Sequence, residues 1–89
     1  AASDVYKRQV LADGLRALGL RVIEGRANYL LFRAPEALGE ALRRKGAVLR
    51  SCGNYPGLDA SWYRTAVRTE NENRQLLALL AETLPEVAQ

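Results

Sequence analysis

The 89-residue sequence predicts an α+β fold: a small, mostly antiparallel sheet of four strands covered on one face by helices, in the order α-β-β-α-β-β-α. Three observations carry this prediction. Apolar residues change repeatedly between helical spacing and strand-like runs. Glycine or proline punctuates most of those changes. A capping box, Thr69-Glu70-Asn71-Glu72, opens the last helical segment.

Leu11, Leu15 and Leu18 recur at helical spacing before Gly19, which predicts a short helix over 10–18 with a glycine at its end. Arg21-Val22-Ile23-Glu24 is β-branched at its centre and stopped by Gly25, so it reads as a strand. Asn28-Tyr29-Leu30-Leu31-Phe32-Arg33 is a nearly continuous apolar run and reads as a buried strand. Pro35 presets the first turn of a second helix over 35–45, with Leu38 and Leu42 on its core face. Glu36 near its start and Arg43, Arg44 and Lys45 near its end complement the helix dipole, and Gly46 closes it.

Ala47 to Arg50 form the third predicted strand and Trp62 to Arg68 the fourth. Alternation along the fourth places Arg64, Ala66 and Arg68 on one face and Tyr63, Thr65 and Val67 on the other. The final helix, from about 70 to 84, buries Leu76, Leu77, Leu80 and Leu84, with Pro85 as its stop. Helices on one face leave the other face of the sheet thinly covered. A further domain, a subunit or a ligand is expected there.

Composition bounds the function. Apolar residues make up 48% of the chain, which suits a packed domain near the lower size limit for a self-sufficient core. No apolar run reaches the roughly 18 residues of a membrane span and the start lacks a signal-like apolar stretch. A soluble, cytoplasmic protein is therefore expected, without a membrane partner. With no histidine and the single Cys52, neither an internal disulfide nor a metal site is expected from this chain. The net charge of +3 is modest, and the arginines are scattered along the sequence instead of forming a basic stripe with lysines. That pattern argues against nucleic acid as a partner.

Residues 1–9 stand apart. One DNA spelling of Asp4-Val5-Tyr6-Lys7-Arg8-Gln9 matches a transposon end used to prepare sequencing libraries. Residues 1–9 are accordingly read as an adapter-encoded or disordered lead, and residues 10–89 as the domain. An ordinary helical lead-in to Val10 is the alternative.

The candidate chemistry lies between residues 50 and 68. Arg50 ends one predicted strand, a Gly/Asn/Pro-rich turn follows, and Arg64 lies fourteen positions on, inside the next strand. Arginine presents a planar fork that matches carboxylate or phosphate in two-point contact and stays charged. Two forks on neighbouring strands suit a small molecule with two anionic groups. Arg68 has a bland explanation as the partner of a nearby carboxylate. Cys52 has no histidine to activate it and reads as a small loop residue. Tyr55 and Trp62 serve either as pocket walls or as turn packing, and Asn28 as a strand-entry residue.

The stretch from Leu18 to Leu84 resembles the C-terminal small domain of pyridoxal-phosphate-dependent aminotransferases of class I/II, the fold-type I group. The resemblance rests on the segments Gly25 to Arg33, Lys45 to Arg50, Tyr63 to Thr69, and Glu72-Asn73 at the start of the last helix. Within the group it is most similar to the branch holding histidinol-phosphate aminotransferase and threonine-phosphate decarboxylase. The resemblance implies that Arg64 holds the α-carboxylate of an amino acid substrate and Arg50 its second anionic group, a phosphate. It also implies a homodimeric parent with an N-terminal large domain that binds pyridoxal 5'-phosphate through a lysine. Neither Lys7 nor Lys45 matches that lysine motif, so the chain is expected to be an inactive C-terminal fragment, with no catalytic or cofactor-binding residue of its own. Decarboxylation of a phosphorylated amino acid is the neighbouring reaction. A stand-alone α+β module, either an amino-acid sensor or a basic nucleic-acid binder, is the reading from another class.

Overall fold

In the computed structural model, which describes residues 3–24 and 28–88, three helices lie on one face of a four-stranded antiparallel sheet. The elements are α1 (Asp4–Ala17), β1 (Arg21–Glu24), β2 (Tyr29–Arg33), α2 (Leu38–Arg44), β3 (Arg50–Ser51), β4 (Trp62–Ala66) and α3 (Glu70–Val87). The predicted α+β class and element order match this arrangement. Gly25, the expected stop of β1, lies outside the described residues together with Arg26 and Ala27.

The strands run β1-β2-β4-β3 across the sheet. Strand alternation directs Leu30, Phe32, Tyr63 and Thr65 toward the helices, where all four are buried. They meet Leu11, Ala12 and Leu15 of α1, Leu38 and Leu42 of α2, and Leu80 of α3 in the core. Phe32 and Tyr63 stack with ring centroids 5.8 Å apart. The opposite face carries Leu31, Trp62 and Arg64, all half-buried, and among the described residues no helix packs over it.

Helix ends follow their local chemistry. Gly19, at φ +86°, and Gly46, at φ +87°, occupy the left-handed conformation beyond α1 and α2. Their N–H groups donate to the carbonyls of Arg16 and Arg43, the penultimate residues of the two helices, and Leu20 and Ala47 donate to the carbonyls of Leu15 and Leu42. Thr69 caps α3: its Oγ accepts from Glu72 N at 3.1 Å and lies 2.9 Å from the Glu72 carboxylate.

Several boundaries differ from the sequence expectation. β4, expected to run to Arg68, ends at Ala66, and the Arg68 N–H goes to the Asn73 side chain. α1 begins at Asp4 and not at residue 10, because Ser3 Oγ accepts from Tyr6 N at 3.2 Å and starts the helix early. Residues 4–9 are thus helical, whatever their origin. α2 begins at Leu38 because the Tyr63 hydroxyl engages the carbonyls of Pro35 and Glu36, diverting them from a helical ladder. β3 is Arg50–Ser51 and not 47–50: Ala47 is still occupied with closing α2, and pairing with β4 is confined to Arg50 and Ser51. α3 continues through Pro85 to Val87, held on both sides of the proline by Lys45. Its Nζ lies 3.0 Å from Glu82, 2.8 Å from Glu86 and 3.1 Å from Thr83 Oγ1.

Candidate functional site

The register of the sheet sets the site. Arg50 of β3 and Arg64 of β4 are direct cross-strand partners, so both side chains leave the sheet on the same side, away from the helices. They line one pocket of about 450 Å³, together with Tyr29, Arg68 and Glu72. The two sequence-predicted site residues are therefore brought together. Like charges directly opposite in a sheet cost stability, on the order of 0.2–1 kcal/mol. A fold retains such a pair at a cost that a bound anion would offset.

The two arginines are held differently. Arg64 is half-buried, donates from Nη1 to the Tyr55 hydroxyl at 2.8 Å, and lies 5.6 Å from the centre of the Tyr29 ring. A hydrogen bond on one side and an aromatic ring beside the guanidinium restrict its orientation. Arg50 is exposed, and among the described residues no carboxylate pairs with it. It is the looser arm of the pair.

Arg68 lies beyond the end of β4 yet lines the same pocket. No ion pair to its side chain exists among the described residues, so the expected carboxylate partner is not found. Its backbone is fixed by Asn73, whose Oδ1 accepts from Arg68 N at 3.0 Å and whose Nδ2 donates to Arg68 O at 3.1 Å. Asn28 also takes part through its backbone, its carbonyl accepting from Val67 N at 2.6 Å. This fits the strand-entry role expected of it. Asn28, Arg68 and Lys7 line a second surface pocket, of about 500 Å³.

Cys52 is fully buried, and burial pushes its thiol pKa up, against a smaller opposing effect of the Arg64 charge. The buried thiol is the less reactive form, in keeping with a packing role. Trp62, half-buried on the open face, pairs with Arg33 in the sheet and does not line the Arg50–Arg64 pocket. Tyr55 acts on the site through Arg64.

Sequence reasoning missed Tyr29, Tyr55 and Asn73 as supports of the arginines. Tyr29 had a signal: the two-residue alternation of β2 puts it on the face of Leu31, the cross-strand partner of Arg64. Tyr55 was a candidate pocket wall, but its bond to Arg64 was not legible, because it depends on the path of an irregular loop. Asn73 was visible only as a polar residue in the first turn of a helix.

Residues 6–80 match the family of class I and II aminotransferases. This chain belongs to that family. It is 44% identical over 72 residues to the threonine-phosphate decarboxylase of Salmonella typhimurium, covering 78% of the chain and 20% of that protein. It is 38% identical over 85 residues to the histidinol-phosphate aminotransferase of Methanothermobacter thermautotrophicus, covering 88% of the chain and 23% of that protein. Among solved structures, the histidinol-phosphate aminotransferase from Clostridium acetobutylicum superposes with a TM-score of 0.82 at 30% identity. That superposition takes in 91% of the chain and 26% of the other. The aminotransferase-family chain thus spans about a fifth to a quarter of the length of these relatives.

The family implies pyridoxal phosphate, but the described residues do not form a site for it. A lysine free to attack the cofactor aldehyde is needed at the substrate cleft. Neither lysine lines the Arg50–Arg64 pocket. Lys45 is held between Glu82 and Glu86 on the helical side, and Lys7 lies 4.0 Å from Asp4 on α1. What this chain brings to the cleft is a cluster of three arginines, Arg50, Arg64 and Arg68.

Proposed function

We propose that this chain is the C-terminal small domain of a pyridoxal-phosphate-dependent aminotransferase acting on a phosphorylated amino acid or a similar compound, in the manner of histidinol-phosphate transamination. Arg64 holds the substrate carboxylate and Arg50 the phosphate. The observation carrying this reading is the direct cross-strand pairing of Arg50 with Arg64 over a shared pocket. The intact parent is a cytoplasmic homodimer whose large domain binds the cofactor, which when bound supplies an electron sink for bonds at the α-carbon. The 89 residues alone are inactive.

The role of the arginines is orientation. A carboxylate gripped in two-point contact by Arg64, itself restrained by Tyr55 and Tyr29, leaves the substrate few ways to lie. The phosphate on Arg50 fixes the opposite end. Closure of the small domain against the large one excludes water from the cleft between them.

The 44% identity to a threonine-phosphate decarboxylase over 72 residues favours a second reading, loss of the α-carboxylate from a phosphorylated amino acid. Both readings use the same two clamps. Kinetics of the parent enzyme test them together. Arg64→Ala is expected to lower kcat/KM for every amino acid substrate by roughly a hundredfold, about the loss of a buried charge-assisted contact. Arg50→Ala is expected to penalise phosphorylated substrates selectively, and equal losses for phosphorylated and unphosphorylated substrates would remove the phosphate from Arg50. Release of carbon dioxide separates decarboxylation from transamination.

A further inference from the structure

We propose that Arg68 is a third anion contact of this cleft, gripping the phosphate end of a ligand whose carboxylate lies against Arg64. The proposal rests on the reading above and adds a residue to it. Arg50, Arg64 and Arg68 line one pocket with a single carboxylate, that of Glu72, which already interacts with the Thr69 hydroxyl. Several arginines elsewhere meet an acid, Arg16 with Asp13 and Glu24, Arg43 with Glu40, and Arg74 with Glu70, whereas Arg21, Arg33 and Arg44 have no ion pair among the described residues. What sets the cleft apart is convergence: three arginines without an ion pair among the described residues line one pocket.

The backbone that carries Arg68 is anchored, although the strand has ended. Asn73 satisfies both its N–H and its C=O, and the preceding residue bonds to the Asn28 carbonyl. This gives the side chain a fixed base from which to reach the pocket. The charge count also fits. A phosphate monoester carries about −1.5 to −2 charge and three acceptor oxygens, more than one guanidinium fork satisfies. Three forks divide naturally into one on the carboxylate and two, Arg50 and Arg68, on the phosphate.

The chain itself serves as the test, labelled with nitrogen-15 and titrated with O-phospho-L-serine and with L-serine while the arginine Nε–H signals are followed. Wild-type protein is expected to bind phosphoserine more tightly than serine. Arg68→Ala is expected to weaken phosphoserine about threefold to tenfold, the scale of one charge-assisted contact open to water, and to leave serine unchanged. Arg44→Ala and Lys7→Ala are expected to change neither. The proposal is overturned by phosphoserine binding that ignores Arg68→Ala, by equal losses in the Arg44 or Lys7 variants, or by wild-type protein that shows no saturable binding. Loss on Arg64→Ala together with an unaffected Arg68→Ala removes Arg68 alone and leaves the parent reading standing. Phosphoserine and serine binding that are both unchanged by Arg64→Ala remove the parent reading.

Discussion

The side chain of Asn73 closes two hydrogen bonds on the backbone of Arg68, one through each amide atom. Asn73 is 3% exposed, and the two bonds it makes are partly buried, so water replaces them only in part when the side chain is removed. Asn73→Ala is expected to cost about 1–2 kcal/mol in urea unfolding, from two partly buried bonds to the Arg68 backbone lost together. Asn73→Asp keeps the acceptor but loses the donor and should lie between that variant and wild type.

Removing one arginine of the facing pair should relieve repulsion. Arg50→Thr is expected to raise stability by a few tenths to about 1 kcal/mol at low salt, with the gain shrinking as salt screens the pair. The same variant should bind phosphoserine more weakly. Arg64→Thr should gain less, because it also loses the bond to Tyr55 and the contact with Tyr29. Thermal unfolding at two salt concentrations checks both.

Alkaline pH should loosen the fold through two groups. Burial, ahead of all other causes, lifts the Tyr63 phenol above its ordinary 10.0. The hydrogen bond to Glu86, then that to Glu82, lifts the Lys45 ammonium above 10.5 despite some opposing desolvation. In both cases the folded pKa exceeds the unfolded one, so the folded chain holds more protons once pH passes the unfolded value. The contribution is complete below about pH 10 and is lost as pH rises from there through the folded pKa values. Tyr63→Phe and Lys45→Met should each flatten part of that decline, read as melting temperature from pH 8 to 11. At neutral pH Tyr63→Phe should cost about 1–2 kcal/mol, because Gly39 N, now 3.1 Å from the hydroxyl, loses its acceptor.

The Cys52 thiol should respond to a thiol reagent only as the chain opens. It has no exposed surface and a raised pKa. Its labelling rate should therefore rise with urea in step with unfolding. Rapid labelling of the native protein would contradict the burial.

Strand alternation made the site legible in the sequence before any coordinates. It put Arg64 on the face away from Tyr63 and Thr65, and the turn between residues 50 and 64 implied neighbouring strands. Thr69 and Glu72 declared the start of α3 by the same kind of local rule. Contacts between distant residues were not legible. Nothing near Pro85 reveals that Lys45 will hold the helix on either side of it. Nothing near Pro35 reveals that the Tyr63 hydroxyl will delay the start of α2. Arg68 is an intermediate case: its face was predicted by alternation, whereas its lack of an acidic partner depends on where every carboxylate finally settles.

Residues 63 and 64 are chain neighbours with opposite duties. Tyr63 stacks on Phe32 and bonds to the start of α2, while Arg64 points into the cleft. A single ribbon of backbone thus couples interior packing to ligand preference. Selection for a new substrate can act from behind the strand, by resizing Phe32 or the neighbours of Gly39, and tilt the guanidinium without altering any group that meets the ligand.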